Sequence, residues 1–74
     1  MSSPSAPKFL QIAAALVADI RRGRLRPGDQ LPGSRALALS LGVHRNTVLA
    51  ALQELIAQGW LHAAAGRGTY VAAD

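Results

Sequence analysis

The stretch Leu41-Gly42-Val43-His44-Arg45-Asn46-Thr47-Val48 constrains the chain more than any other. Before it, Leu37, Ala38 and Leu41 fall at the three- and four-residue spacing of one helix face. Gly42 stands where a helix commonly ends in a left-handed residue. After it, Val48, Ala51, Leu52 and Leu55 resume a helical period and, at about 100° per residue, share one face. A short helix, a tight turn and a second helix are the parts of a helix-turn-helix.

The flanking segments supply the rest of a small fold. Phe9, Ile12, Leu16 and Ile20, with Ala13 and Val17 beside them, mark an amphipathic helix over about residues 8–22. Arg21 and Arg22 complement the dipole at its end, and Gly23 follows as a left-handed cap. Residues 23–32 have no helical period; Leu25 and Leu31 are expected to anchor them to the core around the Pro27-Gly28-Asp29 turn. Pro32 and Gly33 introduce a second helix, Ser34–Leu41, whose inner face is expected to be Leu37, Ala38 and Leu41. The third helix is expected over Arg45–Gln58, with Gly59 as its stop. Residues 60–64 and 69–72 read as two strands joined by a turn at 65–68. The expected fold is mainly α, a winged helix-turn-helix of three helices followed by a two-stranded β-hairpin.

Composition narrows the function. At 74 residues the chain supports one small domain, which buries only about 60% of the surface its unfolded form exposes. It has no cysteine, so disulfides and thiolate metal sites are excluded, and a reducing compartment is the simplest setting. His44 and His62 are too few for a metal site. The acids Asp19, Asp29, Glu54 and Asp74 form no spaced pair, and no phosphate-cradling glycine loop follows a strand, so no enzyme is expected. The formal net charge of +4 suits an anionic partner. No apolar run reaches the roughly 20 residues of a membrane span. Residues 1–7 read as a disordered lead rather than a signal peptide, 8–72 as the domain, and 73–74 as the start of a linker to a further, C-terminal domain.

The polar residues of the third helix suit base edges. Arg pairs with guanine through two hydrogen bonds, Asn pairs with adenine likewise, and a Thr methyl touches the thymine methyl. Arg45, Asn46 and Thr47 stand in its first turn, and Arg45, Asn46, Leu49 and Gln53 occupy an arc outside the core face. A helix with such an N-terminal end suits a major groove; the plainer alternative is a solvated helix start. Lys8, near the start of helix one, is placed either to touch phosphate or to stand in solvent. Arg21, Arg22, Arg24 and Arg26 read as a solvated helix end. His62 reads as an ordinary strand residue, and Trp60 and Tyr70 as core packing.

Three ordered segments together resemble GntR-type transcription regulators. They are Gly23-Arg24-Leu25-Arg26-Pro27-Gly28-Asp29-Gln30-Leu31-Pro32-Gly33-Ser34-Arg35, then Leu41 to Val48 as quoted above, then Gly66-Arg67-Gly68-Thr69-Tyr70-Val71. Gly33-Ser34-Arg35 and Arg45-Asn46-Thr47-Val48 are similar to the MocR branch, which includes regulators of vitamin B6 synthesis. The resemblance implies a bacterial, cytoplasmic, nucleoid-associated regulator that binds double-stranded DNA as a homodimer, with no membrane role. It implies that Arg35 reaches DNA beside the recognition helix and that Gly66, Arg67 and Gly68 form the wing tip, with Arg67 at a minor groove. It implies no cofactor for this chain, and pyridoxal phosphate in a C-terminal domain if the parent protein is MocR-type. His44 stands where Ser is usual and is a poorer helix cap; Leu49 stands where many relatives carry Arg; Leu52 stands where the MocR branch often carries Tyr. His44 and Leu49 therefore imply a cap and a half-site preference of the chain's own.

The expected activity is sequence-specific DNA binding. Two alternatives are weaker on the same residues. A winged helix used for protein contacts would have an apolar outer face on helix three, for which only Leu49 and Ile56 speak. A basic membrane-surface binder would need aromatic anchors and a basic polar face on helix one, which instead carries Asp19.

Overall fold

A computed structural model describes residues 7–73, and over these the chain forms α1 (Lys8–Arg21), α2 (Ser34–Leu41), α3 (Arg45–Gln58), β1 (Leu61–Ala64) and β2 (Gly68–Val71). Most of the expected lead and Asp74 lie outside the described residues. Pro7, the last residue assigned to the lead, caps α1: its carbonyl accepts from the Leu10 and Gln11 amides at 3.0 and 3.2 Å. α1 ends one residue before the expected position, because Arg22 serves as its C-cap and Gly23 then turns left-handed at φ 82°.

Glycine also sets the bounds of the other two helices. Gly42 and Gly59 follow α2 and α3 with φ 70° and 88°, a region that only glycine enters without strain. Val48, Ala51, Leu52 and Leu55 are all buried, as their shared face requires. They meet Ile12 and Ala13 of α1, Ala38 of α2, Leu31, Leu61 and Val71 in one core. Phe9, Leu16, Val17, Ile20, Leu25, Leu37, Val43 and Trp60 pack against its edge.

Leu41 departs from expectation: it is 46% exposed rather than part of the inner face of α2. It is the last helical residue, and Gly42 turns the chain so that Val43 packs on the core instead. Tyr70 departs as well. The antiparallel register pairs Leu61 with Val71 and His62 with Tyr70. Side chains alternate across a strand, so burial of Leu61 and Val71 puts the next pair on the other face. There the His62 and Tyr70 rings stack at 5.7 Å between centroids and 19° between planes. Trp60, expected in the first strand, lies just before it, but its carbonyl still accepts from the Ala72 amide at 2.9 Å.

The hairpin has a third partner that the strand pattern did not announce. Residues 29–31 run along β2: the Val71 amide donates to the Asp29 carbonyl, the Leu31 amide donates to the Thr69 carbonyl, both at 2.8 Å, and Gln30 forms an isolated bridge with Tyr70. The preceding Pro27-Gly28 pair makes this possible. Gly28 has φ 89°, the Asp29 amide donates to the Arg26 carbonyl at 2.9 Å, and the Asp29 carboxylate accepts from the Arg26 amide at 2.9 Å. Proline then glycine at the centre of a turn closed in this way is the pattern of a type II turn.

Candidate nucleic-acid interface

The start of α3 lies beside the N-terminal ends of both α1 and α2. At the start of α3 the Arg45 guanidinium donates from Nε to Ser34 Oγ at 3.1 Å, which ties it to the first residue of α2. Arg35, the next residue of α2, is exposed. Asn46, Thr47 and Ala50 of α3 line a shallow pocket together with Lys8 and Phe9 of α1. The structure thus joins Lys8 to Asn46 and Thr47, and Arg45 to the start of α2.

This cluster has an electrostatic oddity. The backbone amides at a helix N-terminus carry a positive partial charge that acidic side chains ordinarily offset. None of the three helices has an acid in its first turn. Each has a cation there instead: Lys8, Arg35 and Arg45. A cation at this end opposes helix stability by roughly 0.3–1 kcal/mol. The arrangement costs stability and concentrates positive potential, as a surface for an anion would.

Arg45, Asn46 and Gln53 are exposed on the outer arc of α3, while Leu49 is half-buried, so the arc is less open at that one position than the helical wheel implies; Thr47, beside the arc, is half-buried too. His44 holds the extended N-cap conformation, φ −71° and ψ 147°, but makes no side-chain capping bond. Its carbonyl accepts from the Thr47 amide at 3.0 Å, and its ring is exposed.

The hairpin tip carries Arg67 between Gly66 at φ 75° and Gly68 at φ 125°. All three residues are exposed. The Arg67 amide donates to the Ala64 carbonyl at 2.9 Å, and its own carbonyl accepts from Gln30 Nε2 at 2.8 Å. Two relationships at this surface escaped the sequence reading: Ser34 with Arg45, and Gln30 with Arg67. The first joins two side chains and the second a side-chain amide to a backbone carbonyl; both cross loops and leave no periodic trace.

Residues 8–71 match the family model "Bacterial regulatory proteins, gntR family". The chain belongs to this family. Among its GntR relatives, the mannosyl-D-glycerate transport/metabolism system repressor MngR of Escherichia coli is 46% identical over 65 residues, which are 88% of this chain and 27% of that protein. The probable rhizopine catabolism regulatory protein MocR of Rhizobium meliloti is 41% identical over 66 residues, 89% of this chain and 13% of that protein. The chain therefore spans well under a third of either relative, and MocR-type regulators are one of several groups that it matches. Among solved structures, the AraR DNA-binding domain in complex with operator ORR3 superposes with a TM-score of 0.88 at 32% identity, covering 97% of this chain and 87% of that one. The architecture is the winged helix of GntR regulators, with the hairpin β1–β2 as the wing.

Proposed function

We propose that this domain binds duplex DNA in a sequence-specific manner as the reading head of a bacterial transcription regulator. The observation that carries the proposal is the convergence of three helix N-termini, each bearing a cation where stability favours an acid. Arg45 and Asn46 lie exposed at their centre. The co-structure of the related AraR domain with its operator supports the same use of this fold.

In this reading α3 enters the major groove. Arg45 and Asn46 meet base edges there, Thr47 offers its methyl at the rim of the contact, and Leu49 adds an apolar member. His44 and Lys8 lie beside the phosphates. Arg35 holds the backbone from α2, and Gly66, Arg67 and Gly68 bring the wing to the adjacent minor groove, whose negative potential attracts arginine. Phosphate contacts give affinity and register, and base contacts give sequence choice. The parent protein acts as a homodimer on two half-sites; the isolated domain binds one half-site weakly.

The test is an anisotropy titration of the chain with a duplex from the region upstream of its own coding sequence, beside a scrambled duplex. The chain is expected to prefer the upstream duplex, and Arg45→Ala is expected to remove the preference. A folded Arg45→Ala variant with full discrimination would show that α3 does not read the bases. The outer arc of α3 also argues against a protein-docking role, since Arg45, Asn46 and Gln53 are exposed on it.

A further inference from the structure

We infer that Gln30 is a positioning residue for the wing: its amide fixes the tip in the shape that presents Arg67 to DNA. The inference rests on the reading that the wing meets DNA, and it adds a residue from outside the hairpin to that machinery.

The tip is intrinsically loose. Gly66 and Gly68 flank Arg67, both at positive φ, and glycine has the largest conformational freedom to lose on ordering. Two hydrogen bonds hold the Arg67 backbone. One is internal to the hairpin, from the Arg67 amide to the Ala64 carbonyl. The other comes from Gln30 Nε2 to the Arg67 carbonyl at 2.8 Å, across 37 residues of sequence.

Gln30 is itself well anchored. Its backbone bridges Tyr70, and the next residue, Leu31, donates to the Thr69 carbonyl and is buried in the core. The brace therefore leads from the core to the tip through one side chain. Gly68 fits this arrangement closely. A Cβ placed on Gly68 would stand 2.8 Å from Gln30 Nε2, nearer than real Cβ atoms approach. The amide lies over the bare face of Gly68, so positions 30 and 68 form a matched pair. The backbone at φ 125° requires glycine there for a second reason.

A structural brace with no bearing on DNA would look the same in the folded chain, so the test must couple Gln30 to Arg67. Gln30→Met keeps the length and packing of the side chain and removes the donor. Four proteins are compared: the unmodified chain, Q30M, R67A and the double variant. Each is titrated with the labelled upstream duplex, and backbone 15N relaxation is recorded without DNA. Q30M is expected to weaken binding about three- to tenfold, the range of one net hydrogen bond. In the R67A background the same change is expected to have no further effect. Relaxation is expected to show faster motion at residues 66–68 in Q30M, with Tyr70 and Val71 unchanged. Additive losses from Q30M and R67A would overturn the inference, because Gln30 would then act on DNA independently of Arg67. An unaltered tip in Q30M would overturn it without reference to DNA. If the unmodified chain fails to bind duplex while its tip responds to Q30M, the DNA reading falls and the brace is only structural.

Discussion

Arg45 and Ser34 are the first residues of α3 and α2, and they are joined by a 3.1 Å hydrogen bond from the guanidinium Nε to the hydroxyl. The bond holds the inner nitrogen of the fork, and in the proposed binding mode the two terminal nitrogens meet a guanine edge. An arginine loses roughly 1.5–2 kcal/mol of rotamer freedom when ordered, and Ser34 removes part of that loss before DNA arrives. Ser34→Ala is predicted to weaken binding by up to about tenfold, the range of one net hydrogen bond, while changing stability by less than about 0.5 kcal/mol, because in the free chain the bond is exposed and water replaces it. Anisotropy and thermal melts of the same preparation check this. Wild-type affinity in the variant would mean that Arg45 leaves Ser34 on binding.

Arg35 offers a separable prediction. If it meets phosphate, Arg35→Ala lowers affinity for cognate and scrambled duplexes alike. The slope of log affinity against log salt should then fall by roughly 0.9 for the one lost contact. Folding should be unharmed or slightly improved, because a cation leaves a helix N-terminus. A change in sequence preference with no change in slope would assign Arg35 to bases instead.

The helices were legible because glycine and apolar period agreed. Gly33, Gly42 and Gly59 bracket α2 and α3, and the four buried residues of α3 follow directly from their spacing. The wing was legible as a hairpin, but with strand ends one residue off and with no third partner. Residues 29–31 show no alternation, and their pairing with β2 spans some forty residues of sequence. Leu41 misled because a helical wheel carries no information about where the neighbouring helices stop. The candidate contacts were legible as residue types. Their supports were not: Ser34 and Gln30 act over separations of 11 and 37 residues through polar atoms alone.

Core and surface leucines should separate sharply. Leu55 is 1% exposed and Leu39 is 79% exposed. Leu55→Ala is predicted to cost about 2–5 kcal/mol. A core of this size rarely supplies more than about 3–5 kcal/mol in total, so the variant should lack a cooperative melt by far-UV circular dichroism. Leu39→Gln should change stability by less than about 0.5 kcal/mol. A large loss from Leu39→Gln would point to burial of that residue in an assembly.

His44 gives the clearest case of stability and recognition pulling apart. Its backbone already has the N-cap conformation, yet its side chain caps nothing. Serine in the same conformation accepts from the second or third amide of the helix, and a capping side chain contributes about 0.5–2 kcal/mol. His44→Ser is therefore predicted to raise the melting temperature by several degrees, given that 1 kcal/mol shifts a domain of this size by about 4–8 °C. The imidazole is exposed one residue before Arg45, and in the proposed binding mode it touches the phosphate that fixes the register of α3. The same variant is therefore expected to bind the upstream duplex less tightly while discriminating against the scrambled one as before. Tighter binding by His44→Ser would mean that order at the start of α3 limits affinity more than the imidazole contact does. An unchanged melting temperature would mean that the α3 amides are satisfied by solvent and gain nothing from a cap.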